Sequence, residues 1–423
     1  MKRASLLAAA VGLLLIGSSV SSASGDVASL GAKRVCTTGQ VRCYAMVVTH
    51  PGGSVLHTAT PNALPTGMSP ANYHSAYSLP VNGPAGATVA IVDAFDDATI
   101  AADLKKYSQT YGLPVLPKCT SSVTTSCFKK INRGAPPGSA VSPGWDVEIA
   151  LDVETVHAIC QNCKIILVEA QDSSIVNLAA AAKFAASKAP IISNSYGSYG
   201  ADGAIDGAIG SAVDEDYNKK NHAMIVSAGD DGYGVSWPAS LNSTISVGGT
   251  ALTLNGAGGY GSETAWGHSG NGTGSGCSSA TVGGTGVASV QAQTFQKNAA
   301  GYAGTKCGTF RGDNDVSANA DPNTGSAVYV GSFGGFVQVG GTSLAAPLIA
   351  GVYALKGNAT TTAYPASFLY AGLGTTAFHD VTTGNDDEGN WPVACPASST
   401  QCKAAAGYDL PTGVGTPKGL NGF

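Results

Sequence analysis

Near its C-terminal end the chain reads GGTSLAAPLIAGV, from Gly340 to Val352. A serine behind two glycines, leading a run of small and apolar residues, suits a nucleophile at a helix N-terminus. The unpaired backbone N–H groups and the helix dipole there favour the negative charge that an attack creates. Ser343 would also look like this if it only capped the helix. Pro347 is expected in the first turn, where its missing N–H costs nothing.

A serine needs a group to take its proton, and GWDVEIALDVETVHAIC (144–160) offers one. Glu148 and Asp152 are four apart, on one face of a helix. Ile149, Val153, Val156 and Cys160 form an apolar stripe that packs through the adjacent side. Like charges at this spacing repel, so a purely structural design gains nothing from the pair. The alternative is a solvated acidic face shared with Asp146 and Glu154. A further carboxylate, Asp230 in SAGDDGYG, follows the apolar strand AMIVSAG.

These residues need a scaffold, and the middle of the chain supplies a pattern for one. ATVAIVDAF, KIILVEA, PIISNSYG and HAMIVSAGDDG read as buried strands. DDATIAADLKKYSQTYG, closed by Gly112, and SIVNLAAAAKFAASK read as helices, with a polar helical stretch over Ile209–Lys219. Apolar strands alternating with helices predict an α/β fold, a mostly parallel sheet with helices on both faces. Its site should lie at the carboxyl ends of the strands. Residues 255–310, rich in Gly, Ser and Thr, are expected to form long surface loops, and residues 25–70 a short loop-rich segment.

Together these strings resemble the sedolisin (serine-carboxyl peptidase) family of the subtilisin-like superfamily. GGTSLAAP matches its serine motif, Glu148 and Asp152 its E-x-x-x-D pair, and SAGDDGYG its Asp string. WPASLNSTISVGGT and DVSANADPNTG also resemble family strings, and the likeness runs over roughly residues 70–423 in the family's order. The resemblance implies a subtilisin-like fold and an acid-acting endopeptidase for protein or peptide substrates. In it Ser343 is the nucleophile, Glu148 the base, Asp152 its partner, and protonated Asp230 a donor to the oxyanion. The carboxylates make sense of acid: a His, near ~6.5, is already charged there, whereas a Glu near ~4.3 still accepts a proton. The expected rate is bell-shaped, peaking between roughly pH 3 and 5.

AFHDV and AAGYDLPTGVGTP resemble the family's C-terminal calcium loop. This implies one structural Ca2+, held by the Asp380 and Asp409 carboxylates and the Val381, Ala405 and Gly407 carbonyls, as an all-oxygen shell requires. Ala405 stands where the family usually has Gly, and an insertion carrying Cys395 and Cys402 separates the two halves. Members also carry a large N-terminal pro-domain, whereas only residues 25–70 precede the core here.

The other bulk features bound the context. Residues 1–24 have two early basic residues, an apolar stretch and small residues around Ala23, the layout of a secretory signal peptide. A secreted, extracellular protein is expected, with residues 25–70 a pro- or accessory segment and 71–423 the peptidase domain. The ten cysteines suit an oxidising compartment. Their spacing suggests neighbour pairs: 36–43, 119–127, 160–163, 277–307 and 395–402; other connectivities stay open. A net charge of −5 with 12% charged residues argues against nucleic acid and limits self-repulsion in acid. No segment long enough to span a bilayer follows the leader, and a monomer is expected. Two rival readings remain: a subtilisin-type protease using Asp93, His157 and Ser343, and a secreted binding protein that kept the fold without turnover. H-x-x-C-x-x-C at His157, Cys160 and Cys163 could suggest zinc, but a disulfide suits that compartment better.

Overall fold

The computed structural model describes residues 30–58, 63–198, 208–268, 271–278, 289–386 and 400–423, with Met1 and Cys395. Apart from Met1, the expected leader lies outside the described residues. The central sheet runs in the order Tyr260–Ala265, Ile245–Leu254, Ala223–Ser227, Ile191–Asn194, Thr88–Ala94, Lys164–Ala170, Phe128–Asn132, and Val316–Asn319 also pairs with Ile245–Leu254. All its pairings are parallel except that of Tyr260–Ala265 with Ile245–Leu254. The parallel strands read as continuous apolar runs because helices cover both faces and leave no wet side for alternation.

Two helices carry Glu148, Asp152 and Ser343. Trp145–Ile159 and Thr342–Lys356 pack on each other and on the sheet, while Ile175–Ala186 packs on the sheet and on Ala208–Tyr217. Every residue of Trp145–Ile159 is buried, so the alternative of a solvated acidic face does not hold. Asp146 instead accepts from the Ser332 hydroxyl, and Glu154 accepts from the Tyr329 N–H at 2.8 Å. Helix Ile100–Tyr111 ends at Gly112 with φ 67°, as its sequence predicts.

Pro347 lies inside the Thr342–Lys356 helix, in its second turn and not its first. A proline there leaves the carbonyl four residues back without its helical donor. That carbonyl belongs to Ser343, and the Ser195 hydroxyl donates to it at 3.4 Å.

The glycine-rich stretch is also more ordered than its composition suggests. Asn271–Cys277 (NGTGSGC) is a strand, and six of its seven residues are buried. Its glycines permit close approach: a Cβ on Gly274 would meet the Ala228 carbonyl oxygen at 2.3 Å. Residues 279–288 lie outside the described residues.

Residues 30–58, expected to be loop-rich, form strands. Gly31–Arg34 and Met46–Thr49 make an antiparallel hairpin, and Met46–Thr49 continues onto Gly335–Gly340, which leads directly into the Ser343 helix. The five disulfides join neighbours: Cys36–Cys43, Cys119–Cys127, Cys160–Cys163, Cys277–Cys307 and Cys395–Cys402. Cys160 and Cys163 are therefore not thiolate ligands for zinc. Among the described residues, no helix is long and apolar enough to cross a membrane.

Candidate active site

The fold brings Ser343, Glu148, Asp152 and Asp230 into one fully buried cluster. Ser343 follows Gly341 and Thr342 at the start of its helix, and its Oγ donates to Glu148 Oε2 at 2.8 Å. Asp152, one turn beyond Glu148, accepts from the Ser195 hydroxyl at 2.8 Å through Oδ1. Asp230 follows the Ala223–Ser227 strand at its carboxyl end. Its Oδ1 accepts from both the N–H and the hydroxyl of Thr342, each at 2.8 Å. Asp230 Oδ2 has no hydrogen-bond partner among the described residues.

Burial sets the electrostatics. It pushes both Glu148 and Asp152 well above the ordinary carboxyl range, and the nearby Asp93 carboxyl adds to the effect. Two carboxyls this close retain a shared proton and release the other as a pair. Burial also raises Asp230 to about 7, with Arg34 and the Thr342 donors pulling the other way. An Asp that stays protonated through acid can donate a hydrogen bond, which a carboxylate cannot.

Two further residues join this cluster. Asp93, named from the sequence only in the subtilisin-type set, belongs to the adjacent Thr88–Ala94 strand as a third buried carboxyl beside the pair, itself raised to about 8 by burial. Ser195 holds three groups at once: its hydroxyl touches Asp152 and the Ser343 carbonyl, and its own carbonyl accepts from Ser343 Oγ at 3.1 Å. The signal for Asp93 was present in IVDAFDD; a lone serine after a strand carries none.

His157 is not placed to be a base. Its Nε2 pairs with the Pro114 carbonyl at 2.9 Å, and burial pulls it down to about 4. The subtilisin-type set of Asp93, His157 and Ser343 is thus replaced by Glu148 on the serine itself.

Ser343 is buried, and the tip of the N-terminal hairpin lies across it. The Tyr44 N–H donates to Ser343 Oγ at 3.0 Å, and the Ala45 N–H donates to Glu148 Oε2 at 2.8 Å. Arg42–Cys43 pairs antiparallel with Tyr196–Gly197. The neighbouring cavities flank the hairpin: one of about 290 Å³ beside Gly31, Trp266 and His268, another of about 340 Å³ beside Arg34, Gly144 and Asp146.

The C-terminal loop gathers Asp380 and Asp409. The Gly407 N–H donates to Asp380 Oδ2 at 3.0 Å and the Ala405 N–H to Asp409 Oδ2 at 2.8 Å, while Thr412 holds Asp409 Oδ1 and reaches the Val381 carbonyl at 3.5 Å. Burial raises Asp409 to about 7 and Asp380 adds repulsion. Two carboxylates thus lie close enough to repel one another, held by the N–H groups of Ala405, Gly407 and Thr412.

Residues 138–387 match the model of the subtilase family (Peptidase_S8). The chain is 32% identical over 209 residues to sedolisin of Pseudomonas sp. (strain 101), covering 45% of this chain and 32% of that protein. It is 28% identical over 383 residues to kumamolisin of Bacillus sp. (strain MN-32), covering 85% of this chain and 63% of that one. It therefore spans less than two thirds of the length of these curated relatives. Among solved structures, it superposes with a TM-score of 0.67 and 26% identity on Pseudomonas sedolisin (serine-carboxyl proteinase) complexed with two molecules of pseudo-iodotyrostatin. That match covers 84% of this chain and 96% of the other.

Proposed function

Since the chain belongs to the subtilase family, in its sedolisin branch, we propose that it is a serine-carboxyl endopeptidase that hydrolyses protein or peptide substrates in acid. The observation that carries this is the Ser343 Oγ to Glu148 Oε2 hydrogen bond of 2.8 Å in a cluster without histidine. Glu148 takes the Ser343 proton as Oγ adds to the substrate carbonyl carbon, and returns it to the leaving nitrogen. Asp152, held by Ser195, keeps the pair's second proton and orients Glu148. Protonated Asp230 donates from Oδ2 to the oxyanion. Water then hydrolyses the acyl-serine ester by the same route in reverse.

The pH profile follows from these protonation states. The Glu148–Asp152 pair must lose one proton, which sets the acidic limb above the ordinary carboxyl value because burial raises the pair. Asp230 must keep its proton, which sets the alkaline limb near 7. Activity should be bell-shaped and fall as pH rises through about 7. A His-based enzyme would gain activity over that range.

Secretion as a monomer and one structural calcium ion held by Asp380, Asp409 and the carbonyls of Val381, Ala405 and Gly407 belong to the same proposal. The five disulfides support an oxidising destination. Ser343→Ala decides the peptidase reading: hydrolysis of unfolded protein at pH 5 should fall by at least about a thousandfold with the fold retained. Equal activity in the variant and the wild type would remove Ser343 as nucleophile. Inactivity of both, with the cleft cleared of the hairpin, would favour a silent binding protein.

A further inference from the structure

Away from the serine, the central sheet ends in a strand whose outer edge is only half covered. Phe128–Asn132 is the last strand in the order and pairs on its inner side with Lys164–Ala170. The Ile165 N–H donates to the Cys127 carbonyl at 3.0 Å and the Arg133 N–H to the Glu169 carbonyl at 2.8 Å. Alternate residues therefore face that partner, and Phe128, Lys130 and Asn132 turn their backbone groups outward. Phe128 is met there: its N–H donates to the Pro117 carbonyl at 2.9 Å, and its carbonyl accepts from the Cys119 N–H at 3.0 Å. Lys130 and Asn132 have no such backbone partner among the described residues. Outward N–H and C=O groups on an edge are a template for another strand.

Beside this edge lies a cavity of about 410 Å³, between the strand, helix Ile100–Tyr111 and residues 116–119. Leu104, Leu116 and Phe128 give it apolar walls, and Lys105, Lys118, Lys129 and Lys130 stand around it. Leu104 and Phe128 are buried, whereas Lys105, Lys118 and Lys129 are exposed. Lys130 is already engaged, with Asp96 at 2.7 Å and Glu169 at 3.3 Å. The local charge is one-sided. Residues 104–145 contain six of the chain's 22 Lys and Arg and no Asp or Glu, in a protein whose net charge is −5. An apolar pocket ringed by ammonium groups, beside an open strand edge, fits a partner of the opposite pattern.

We propose that this edge is a second binding site, which takes an extended acidic peptide segment. The segment adds a strand along Lys130 and Asn132, seats one large apolar side chain in the cavity, and sets its carboxylates against Lys105, Lys118 and Lys129. Asn132, Glu169 and Asp93 share one row of the sheet register. The open end of the edge therefore stands about 10 Å, two strand spacings, from the strand that carries Asp93. A chain held there is led along the edge towards the end of the sheet where Ser343 lies. On the peptidase reading above, on which this last role rests, the site anchors an acidic stretch of a protein substrate while another stretch is cut.

The test uses the full chain as Ser343→Ala, so that binding is read without cleavage. Its probe is a dye-labelled peptide, Gly-Glu-Glu-Phe-Glu-Glu-Gly, followed by fluorescence anisotropy at pH 5. The expected result is saturable binding that weakens as salt is raised. It should fall about tenfold or more when Lys118→Glu and Lys129→Glu are added together, with the melting temperature unchanged because both lysines are exposed. N-methylation of alternate peptide nitrogens should abolish binding in one phase and spare it in the other, as pairing along one edge requires. No binding, undiminished binding to the double variant, or indifference to N-methylation in both phases would each overturn the proposal. The last of these, with dodecanoate competing, would assign the cavity to a free anionic amphiphile. For the substrate role, joining the acidic segment to an unfolded substrate should lower KM for the wild type but not for the chain with both lysines replaced; an unchanged KM overturns that role. Binding beside a wild type that hydrolyses nothing would remove the peptidase reading and leave the site, whereas hydrolysis without binding would remove the site alone.

Discussion

Glu148 and Asp230 are both buried carboxyls raised above their ordinary range, yet their neighbours divide the work between them. Glu148 stands beside two other carboxyls, and its pair must lose one proton while holding the second. Asp230 has Arg34 nearby to oppose the rise, with Oδ1 fed by Thr342 and Oδ2 left to donate. Asp230→Asn tests this division. The amide oxygen can keep accepting from Thr342 while Nδ2 donates at any pH. The alkaline limb of kcat, set near 7 in the wild type, should therefore move upward even if the peak rate falls. A limb that stays in place would assign it to another group.

Among the elements, the carboxylate helix and the C-terminal loop solve opposite problems. The helix buries four carboxyls, Asp146, Glu148, Asp152 and Glu154, each given a partner: a hydroxyl, the nucleophile, another hydroxyl and a backbone N–H. Its acidic sequence looks solvated only because the helix cannot show which neighbours will supply those donors. In the loop, Asp380 and Asp409 repel one another, and the proposed calcium ion would offset that repulsion. A ligand that binds only the native arrangement stabilises it in proportion to its concentration over its Kd. Chelator should accordingly lower the melting temperature at pH 5, with added calcium restoring it. An unchanged melting temperature would remove the ion from the loop.

Over the whole molecule, the buried carboxyls give stability a direction with pH. Burial raises Asp93 to about 8, and Asp230, Glu263 and Asp313 to about 7. A carboxyl raised in the folded state binds its proton more tightly there than in the unfolded chain, where it titrates near 4. The stabilisation is thus complete below about pH 4 and is lost as pH rises through 7 to 8. Ser343→Ala should have its highest melting temperature in acid and a progressively lower one from pH 5 to pH 8. A maximum at pH 7 or above would show that these groups are ionised in the folded chain. The low content of charged side chains acts in the same sense, since it keeps self-repulsion small when the carboxyls are neutral.

Local features of the sequence determined much of this protein. The alternation of apolar strands and helices specified a parallel α/β sheet, and the spacing of Glu148 and Asp152 put them on one helical face. Gly112 marked a helix end, and cysteine separations of 7, 8, 3 and 7 pointed to four of the neighbour disulfides. Each of these depends on residues a few positions apart, where periodicity and chain reach govern the outcome. Only the tertiary structure decided what distant segments do to one another. It set Ser195 against Asp152 and brought Asp93 beside the pair. It turned the glycines of Asn271–Cys277 into close strand contacts, and gave the Ser343 carbonyl freed by Pro347 its donor. It also laid Tyr44 and Ala45 across a nucleophile some 300 positions away, 299 for the Tyr44–Ser343 contact. Hydrogen bonds across such separations leave no period in the sequence, because the sheet and not the chain between them sets their distance.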